Sequence, residues 1–162
     1  MNQGYHKVVI LMGSNISPAD NLKKAYLLLC SQCTVTDISQ VWENAAFGSP
    51  GPNFLNAAVS LVTSHSVAGL IDQVLHPIEN QLGRIRTKDK NSPRAIDLDI
   101  IIFDNQALDQ NLWSRLHIAL PVSELLPDLV NPYNGKTLAE IARSLQESSW
   151  TERHPEVLRD FN

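Results

Sequence analysis

Cysteine is scarce in this sequence of 162 residues, and the two cysteines stand close together as Cys30 and Cys33. A C-x-x-C pair can be a redox motif when it opens a helix after a strand, but here it closes a predicted helix. No second cysteine pair or histidine cluster in the sequence completes a zinc site. We therefore expect two reduced, partly buried thiols.

Long apolar runs, repeats, linkers and low-complexity segments are also missing. No run approaches the length of a transmembrane helix, and residues 1–7 lead into a predicted strand without a signal-peptide pattern. These absences favour a cytoplasmic protein that does not bind membranes. The length fits one domain over residues 1–162 with a core of its own.

Negative charge predominates overall but not locally. The formal net charge is −4, yet residues 84–94 carry five cationic side chains against one carboxylate. A general nucleic-acid-binding domain is basic as a whole, so this pattern argues against a nucleic-acid partner. A basic segment on an acidic protein fits the capture of one small anionic ligand.

The most informative stretch is 83–103, a basic loop that ends at Pro93 and continues as an apolar strand over 95–103. Side chains alternate across a strand, so Asp97, Asp99, Ile101 and Phe103 are predicted to share one face. Aspartates at i and i+2 have Cα atoms about 7 Å apart and point the same way, so their carboxylates repel each other unless a cation joins them. Mg²⁺ bound together with phosphates suits this pattern. The alternative is a solvated loop whose arginines pair with the two acids.

The coarse pattern predicts strands at 7–12, 34–42, 54–62 and 95–103. Helices are predicted from Ser17 to about residue 31, from Ser64 or Ser66 to residue 82 with an interruption at Pro77, and from Thr137 to about residue 147. Residues 121–126 fit one helical turn, and 148–162 are expected to be irregular. This order predicts an α+β, ferredoxin-like fold, with an antiparallel sheet and helices packed on one face of it.

Several motifs resemble one enzyme family. Residues 83–86, Gly-Arg-Ile-Arg, and residues 93–99, Pro-Arg-Ala-Ile-Asp-Leu-Asp, resemble the signature of 6-hydroxymethyl-7,8-dihydropterin pyrophosphokinase (HPPK), whose usual form is G-R-x-R, a loop, then G-P-R-x-[IL]-D-[IL]-D. Residues 13–15, Gly-Ser-Asn, and 54–59, Phe-Leu-Asn-Ala-Ala-Val, add to the match. The resemblance runs from about residue 8 to residue 132.

The resemblance implies a monomeric enzyme of folate biosynthesis. Such an enzyme moves a pyrophosphoryl group from ATP to the pterin hydroxymethyl oxygen and releases AMP, with two Mg²⁺ ions as cofactors. The residues that match the family's functional positions fall into three groups. Asp97 and Asp99 hold the metal and, with Arg84 and Arg94, make up the catalytic group; ATP is bound by Glu79, Arg84, Arg86, Lys88, Arg94, Ile100 and His117; the pterin is bound by Phe47, Gly48, Phe54 and Asn56.

Some of these residues also have plain structural interpretations. Arg86 and Lys88 fit a solvated loop, Glu79 an exposed position on a helix, His117 a packed or surface histidine, and Phe54 a core aromatic. The side-chain amide of Asn56 offers both a donor and an acceptor, as the edge of a pterin requires.

The sequence departs from the family after His117. Family members usually continue for some ten residues containing an arginine that contacts phosphate and a phenylalanine that covers the pterin, and about eight of those residues are missing here. Leu116 replaces the usual proline, Asn91 replaces the common tryptophan of the basic loop, and residues 44–46 replace a Thr-x-Pro sequence.

These changes leave the acidic pair intact and predict a weakened pterin site, unless the tail around Trp150, Arg153 and His154 takes over the covering role. Two alternatives to an active enzyme stay open. One is a diverged, weakly active or inactive paralogue that binds nucleotide or pterin. The other is a plain ferredoxin-like interaction domain, which the two acids beside five cations disfavour.

Overall fold

The computed structural model describes residues 4–48 and 50–161, whose strands form one seven-stranded antiparallel sheet. The strand order is β6-β5-β1-β4-β3-β7, and β2 pairs with β4. The antiparallel sheet predicted from the sequence is therefore confirmed. The strands are β1 (His6–Ser14), β2 (Thr34–Ile38), β3 (Trp42–Asn44), β4 (Phe54–Thr63), β5 (Asp97–Phe103), β6 (Gln106–Ala107) and β7 (Glu152–Arg153).

Five α-helices accompany the sheet in the described residues. They are α1 (Pro18–Gln32), α2 (Val67–Leu70), α3 (His76–Gln81), α4 (Leu116–Leu125) and α5 (Leu138–Gln146), with a π-helical stretch, Ile71–Leu75, joining α2 to α3. Short 3₁₀ helices cover Gln110–Trp113 and Arg159–Phe161. Nowhere in the described ranges is a helix both long enough and apolar enough to span a bilayer.

The helix ends follow the local sequence. The Ser66 hydroxyl accepts a hydrogen bond from the Gly69 amide, and Thr137 forms a capping box with Glu140. Ser17 occupies the N-cap position of α1, but its backbone is left-handed (φ 41°) and its side chain makes no capping bond. The π-helical stretch ends at Leu75, two residues before Pro77, which lacks the amide that a regular helix would need there.

Helices cover both faces of the sheet, so the expectation of a single packed face is wrong. On one face, Ile10 and Met12 of β1 pack in a core with α1, α2 and α3. On the other face, Val9 and Leu11 pack with α4 and α5. The reason is that the central strand is apolar at consecutive positions and both its faces need covering.

The strand predicted over residues 34–42 is two strands. β2 and β3 pair with successive parts of β4, and the chain between them leaves the ladder at Ser39. There the Ser39 hydroxyl accepts from the Ala58 amide at 2.8 Å, while the Ser39 amide donates to the Ala58 carbonyl at 2.9 Å. The Ser39 side chain thus provides the hydrogen-bond acceptor for the Ala58 amide where the chain leaves the ladder.

The C-terminal segment packs against the fold. Of residues 148–162, which were expected to be irregular, Glu152–Arg153 form β7 and Arg159–Phe161 a 3₁₀ helix, while the other described residues are irregular as expected. β7 pairs with β3, and Val157 and Leu158 are buried in the core beside α1. The Phe161 ring lies 4.9 Å from that of Tyr26, measured between centroids. Val157 and Leu158 stand in a polar stretch, so the sequence alone gives only a weak indication that they are buried. Their burial depends on where the chain returns to the sheet.

The region after β5 also differs from the sequence-based expectation. α4 begins at Leu116 and runs through Pro121, so it is longer than the single turn expected over residues 121–126. The shortened segment after His117 is thus helical from its start. Its side chains at Ile118, Ala119 and Leu120 are buried in the core between the sheet and α5.

Candidate functional site

A cleft of about 290 Å³ opens over one end of the sheet, where β1, β4 and β5 lie side by side. Its lining includes Phe47, Phe54, Asn56, Arg94, Asp97, Asp99 and His117. A second hollow of about 300 Å³ adjoins it and is lined by Arg84, Arg86, Lys90 and again Arg94, Asp97 and Asp99. The two acids thus stand between an aromatic cleft and a basic one.

Gly13 lies at the centre of the cleft floor, because it pairs with Asn56 of β4 on one side and with Asp97 of β5 on the other. A Cβ at this position would lie 2.7 Å from Oδ1 of Asn56. The glycine therefore makes room for the buried amide of Asn56. The Asn56 Nδ2 group in turn donates to Oδ1 of Asn44 on β3.

Asp97 forms ion pairs with Arg84 and Arg94, the two arginines predicted to belong to the catalytic group. Its Oδ2 atom lies 2.5 Å from Nη1 of Arg94, and its Oδ1 atom lies 3.5 Å from Nη2 of Arg84. Arg94 also donates to the Lys90 carbonyl. All three ionic side chains are at most about a quarter exposed, so these pairs are weakly screened.

Asp99 keeps solvent-accessible surface towards the cleft, but protein atoms displace most of the bulk water around it. This desolvation, with the negative charges of Asp97, Glu79 and Asp109 added to it, raises the pKa of Asp99 to about 7. A carboxyl that holds a proton this readily is a poor free anion. It becomes a good ligand once a cation balances the local negative charge.

Glu79 is buried rather than exposed, and it ties α3 to the basic loop and to β5. Its Oε1 atom accepts from the Leu98 amide at 3.2 Å, and its Oε2 atom accepts from Arg86 at 2.8 Å. The Nε atom of Arg84 lies 3.9 Å from the same carboxylate. Burial raises the pKa of Glu79, and the Leu98 amide and the two arginines oppose that rise. Glu79 therefore acts as a support beneath the site.

The Gly-Ser-Asn sequence after β1 has a structural explanation. The Ser14 hydroxyl donates to the Ala95 carbonyl at 2.5 Å. Oδ1 of Asn15 accepts from the Arg94 amide at 2.6 Å, and its Nδ2 donates to the Pro52 carbonyl at 3.2 Å. Ser14 and Asn15 are buried, so together they hold the last residues of the basic loop against the sheet and thereby position Arg94.

A β-bulge follows the acidic pair. The pairing of β1 with β5 shifts so that Val9 faces Ile102 and Ile10 faces Ile100, which leaves Ile101 as the extra residue. Ile101 packs on the α4 side, where Asp97 and Asp99 point into the cleft. Phe103, which alternation placed on the same face, packs against the opposite core. The bulge is therefore the reason that this part of the prediction is wrong.

His117 lies in the first turn of α4 and lines the cleft. Burial lowers the pKa of His117, the positive charge of Arg115 lowers it further, and Asp109 partly opposes both. The imidazole is therefore neutral at pH 7 and can donate or accept one hydrogen bond towards a ligand.

Some predicted residues are not brought into the cleft. Ile100 packs against the core beside α1, and Lys88 and Gly48 do not line either hollow, although Gly48 adjoins Phe47. Trp150 and Arg153 are exposed on the tail, away from the cleft lining. None of the described tail residues, 148–161, is among the residues that line the cleft.

Sequence reasoning also missed several lining residues, namely Asn44, Asp109, Asn111 and Arg115. Arg115 lies with its guanidinium carbon 4.0 Å from the centroid of the Phe47 ring. Each of these residues belongs to a short or irregular segment, where no periodic pattern indicates the direction of a side chain. For Arg115, the available indication was its place as a polar residue immediately before a helix, where a side chain can face a ligand site.

Comparison with known proteins gives a consistent result. The family described as 7,8-dihydro-6-hydroxymethylpterin-pyrophosphokinase (HPPK) matches residues 9–127. The 2-amino-4-hydroxy-6-hydroxymethyldihydropteridine pyrophosphokinase of Synechocystis is 35% identical over 150 residues, covering 86% of this chain and 76% of that protein. The Helicobacter pylori protein of the same name is 37% identical over 111 residues, covering 65% of this chain and 68% of that one.

Solved structures agree on the fold. The Plasmodium falciparum HPPK-DHPS A437G protein with pteroate superposes with a TM-score of 0.69 over 91% of this chain at 10% identity. This chain spans 45% of the length of that solved chain. The match over residues 9–127 and the two bacterial relatives together show that the chain belongs to the HPPK family.

Proposed function

We propose that the chain transfers a pyrophosphoryl group from ATP to the hydroxymethyl oxygen of 6-hydroxymethyl-7,8-dihydropterin and releases AMP, as a transferase of folate biosynthesis. The observation that carries this proposal is the composition of the cleft. The Asn56 amide and the rings of Phe47 and Phe54, which suit a planar heterocycle, share it with Asp97, Asp99 and Arg94, which suit a metal-bound polyphosphate.

The pterin would lie at the end of the cleft formed by β4 and the loop before it. Asn56 is buried and held by Asn44, so its amide is already oriented before substrate binds. The ring of Phe54 lines the same space and offers a stacking surface. Fixed donors and acceptors around a planar pocket select a heterocycle by its hydrogen-bonding edge.

The phosphates would lie at the other end, between Asp97 and the basic loop. Arg94 and Lys90 line both hollows, and Arg84 and Arg86 line the second. Guanidinium groups fixed by neighbouring residues stabilise the charge that develops on phosphate oxygens during transfer. The neutral imidazole of His117 can donate a hydrogen bond to a phosphate oxygen without adding charge.

The donor set at Asp97 and Asp99 fits Mg²⁺. The two carboxylates lie on one face and supply the hard oxygen ligands that Mg²⁺ prefers. The pKa of Asp99 is about 7 in part because neighbouring carboxylates repel its charge, and a bound divalent cation would offset that repulsion. Bound there, Mg²⁺ would neutralise charge on the phosphates and help to orient them for in-line displacement. The ion would also compete with Arg84 and Arg94 for Asp97, leaving these guanidinium groups available to phosphate.

Release of AMP from MgATP, measured with and without 6-hydroxymethyl-7,8-dihydropterin, tests the proposal. We expect AMP and the pterin diphosphate in equal amounts, and only when both substrates are present. Asp97→Ala should abolish the reaction, whereas Asp72→Ala, which removes an exposed acid from the helical segment, should not. Pterin-independent hydrolysis of ATP, or no AMP at all, would contradict the assignment. Size-exclusion chromatography tests the further expectation that the chain is a monomer.

A further inference from the structure

Arg115 is held at the cleft by the start of α4. Its carbonyl accepts hydrogen bonds from the Ile118 and Ala119 amides at 3.1 and 2.9 Å, so its backbone is fixed by the first turn of the helix. The side chain extends to Phe47, where the guanidinium carbon lies 4.0 Å from the ring centroid. Both side chains line the cleft together with Phe54 and Asn56.

The guanidinium of Arg115 differs from those of the basic loop. Arg84, Arg86 and Arg94 all pair with Asp97 or Glu79. Within residues 4–48 and 50–161, the Arg115 side chain makes no hydrogen bond or ion pair, and its contact is with the face of Phe47. A half-buried guanidinium carries five N–H donors, so a ligand that enters the cleft would meet donors without protein acceptors.

Phe47 is equally unusual, because it is 62% exposed on the loop before β4. An aromatic ring there gains little from the core, but it gives the guanidinium a face on which to rest. Among the described residues that line the cleft, Phe47 and Phe54 supply the aromatic rings. The segment after His117 adds none, since its side chains at 118–120 are aliphatic and buried on α4.

We infer that Arg115 is a pterin-binding residue, which Phe47 holds over the mouth of the cleft. There its planar guanidinium covers the heterocycle and donates hydrogen bonds to the ring's carbonyl and nitrogen acceptors. This inference rests on the proposed function and specifies how a chain with a short segment after His117 closes its pterin pocket. The phosphate end already has four cations, Arg84, Arg86, Lys90 and Arg94, so Arg115 serves the heterocycle.

The test is a pair of titrations on the full chain by calorimetry. One titrates 6-hydroxymethylpterin into protein saturated with a non-hydrolysable MgATP analogue, and the other titrates the analogue alone. Arg115→Ala should weaken pterin binding about tenfold, the size expected for a lost charge-assisted contact, and change analogue binding by less than about twofold. Arg143→Ala, which removes an exposed arginine from the last turn of α5, is the charge-matched control and should change neither.

Two further variants separate the covering role from charge alone. Arg115→Lys keeps the charge but loses the planar fork, so it should recover only part of the lost affinity. Phe47→Leu keeps apolar bulk but loses the aromatic face. It should also weaken pterin binding, and the double variant should lose less than the product of the two single effects, because both act through one contact.

Each outcome decides the matter. If the wild-type chain binds pterin and Arg115→Ala binds it equally well, the inference is wrong while the proposed function stands. If Arg115→Ala weakens the analogue instead, Arg115 is a phosphate ligand and the inference is again wrong. If the wild-type chain neither binds pterin nor releases AMP, both proposals fail. Circular dichroism of each variant identifies any loss that reflects unfolding.

Discussion

The substitution Gly13→Ala tests whether the geometry of the cleft floor controls substrate recognition. Gly13 has an ordinary backbone conformation, so alanine can adopt it without strain from φ. The new Cβ, however, would lie 2.7 Å from Oδ1 of Asn56, well inside van der Waals contact. Asn56 cannot move freely, because it is 3% exposed and its amide is bonded to Asn44.

The expected effects on stability and on binding differ in size. Overpacking costs about 1–3 kcal/mol, while the reduced freedom of the unfolded chain returns about 0.4–1 kcal/mol. The net destabilisation is therefore roughly 1 kcal/mol, which lowers the melting temperature by about 2–4 °C for a chain of this size. Pterin affinity should fall by at least about tenfold, since the displaced amide loses a hydrogen bond to the substrate that is worth about 1.5 kcal/mol.

Calorimetric titration of the pterin in the presence of the MgATP analogue measures the loss, and thermal unfolding measures the stability. Gly4→Ala is a matched control, because a Cβ at Gly4 meets nothing within 4 Å. In the Asn56→Ala variant, adding Gly13→Ala should reduce pterin affinity little further, because the effect of Gly13→Ala on binding is exerted through the side chain of Asn56. Unchanged pterin affinity in Gly13→Ala would refute the argument that the placement of Asn56 reads the substrate.

Three more predictions follow from the contacts. Asp97→Ala should lower MgATP affinity at least about tenfold in a calorimetric titration and, because it strips two arginines of their partner, destabilise the fold by roughly 1–3 kcal/mol in urea; unchanged affinity would rule out a metal role. Leu158→Ala, at a 1% exposed position, should cost about 2–5 kcal/mol, against less than about 0.5 for the exposed Leu108→Ala; equal losses would show that the tail does not pack as described. Hydrogen bonds with Glu156 and Glu43 raise the pKa of His154, so its ion pairs with these two carboxylates stabilise the fold below pH 6.5 and are lost as the pH rises through the raised pKa. His154→Ala should therefore lower the melting temperature at pH 5.5 more than at pH 8.5, and an equal loss at both would contradict this reasoning.

The acidic pair and its basic loop could be predicted from the sequence because both depend on local spacing. Asp97 and Asp99 point the same way since they are two residues apart on a strand, and no tertiary detail alters that direction before the bulge at Ile101. Beyond the bulge, alternation fails, and Phe103 packs against the opposite core. The alternation of apolar residues along β5 does not reveal the bulge, because the bulge depends on how β1 pairs with β5.

Local patterns thus sufficed to predict the longer strands and helices, the antiparallel sheet and the residues that meet along one strand or one loop. Which distant residues meet depends on the tertiary structure. The fold buries Glu79 beneath the basic loop and pairs Asn56 with Asn44. It also places Gly13 where a side chain would collide with Asn56, and it brings Arg115 to Phe47. The physical reason is that local propensity acts over a few residues. Contacts between remote residues depend instead on sheet register and on the packing of both faces, which form only when the whole chain folds.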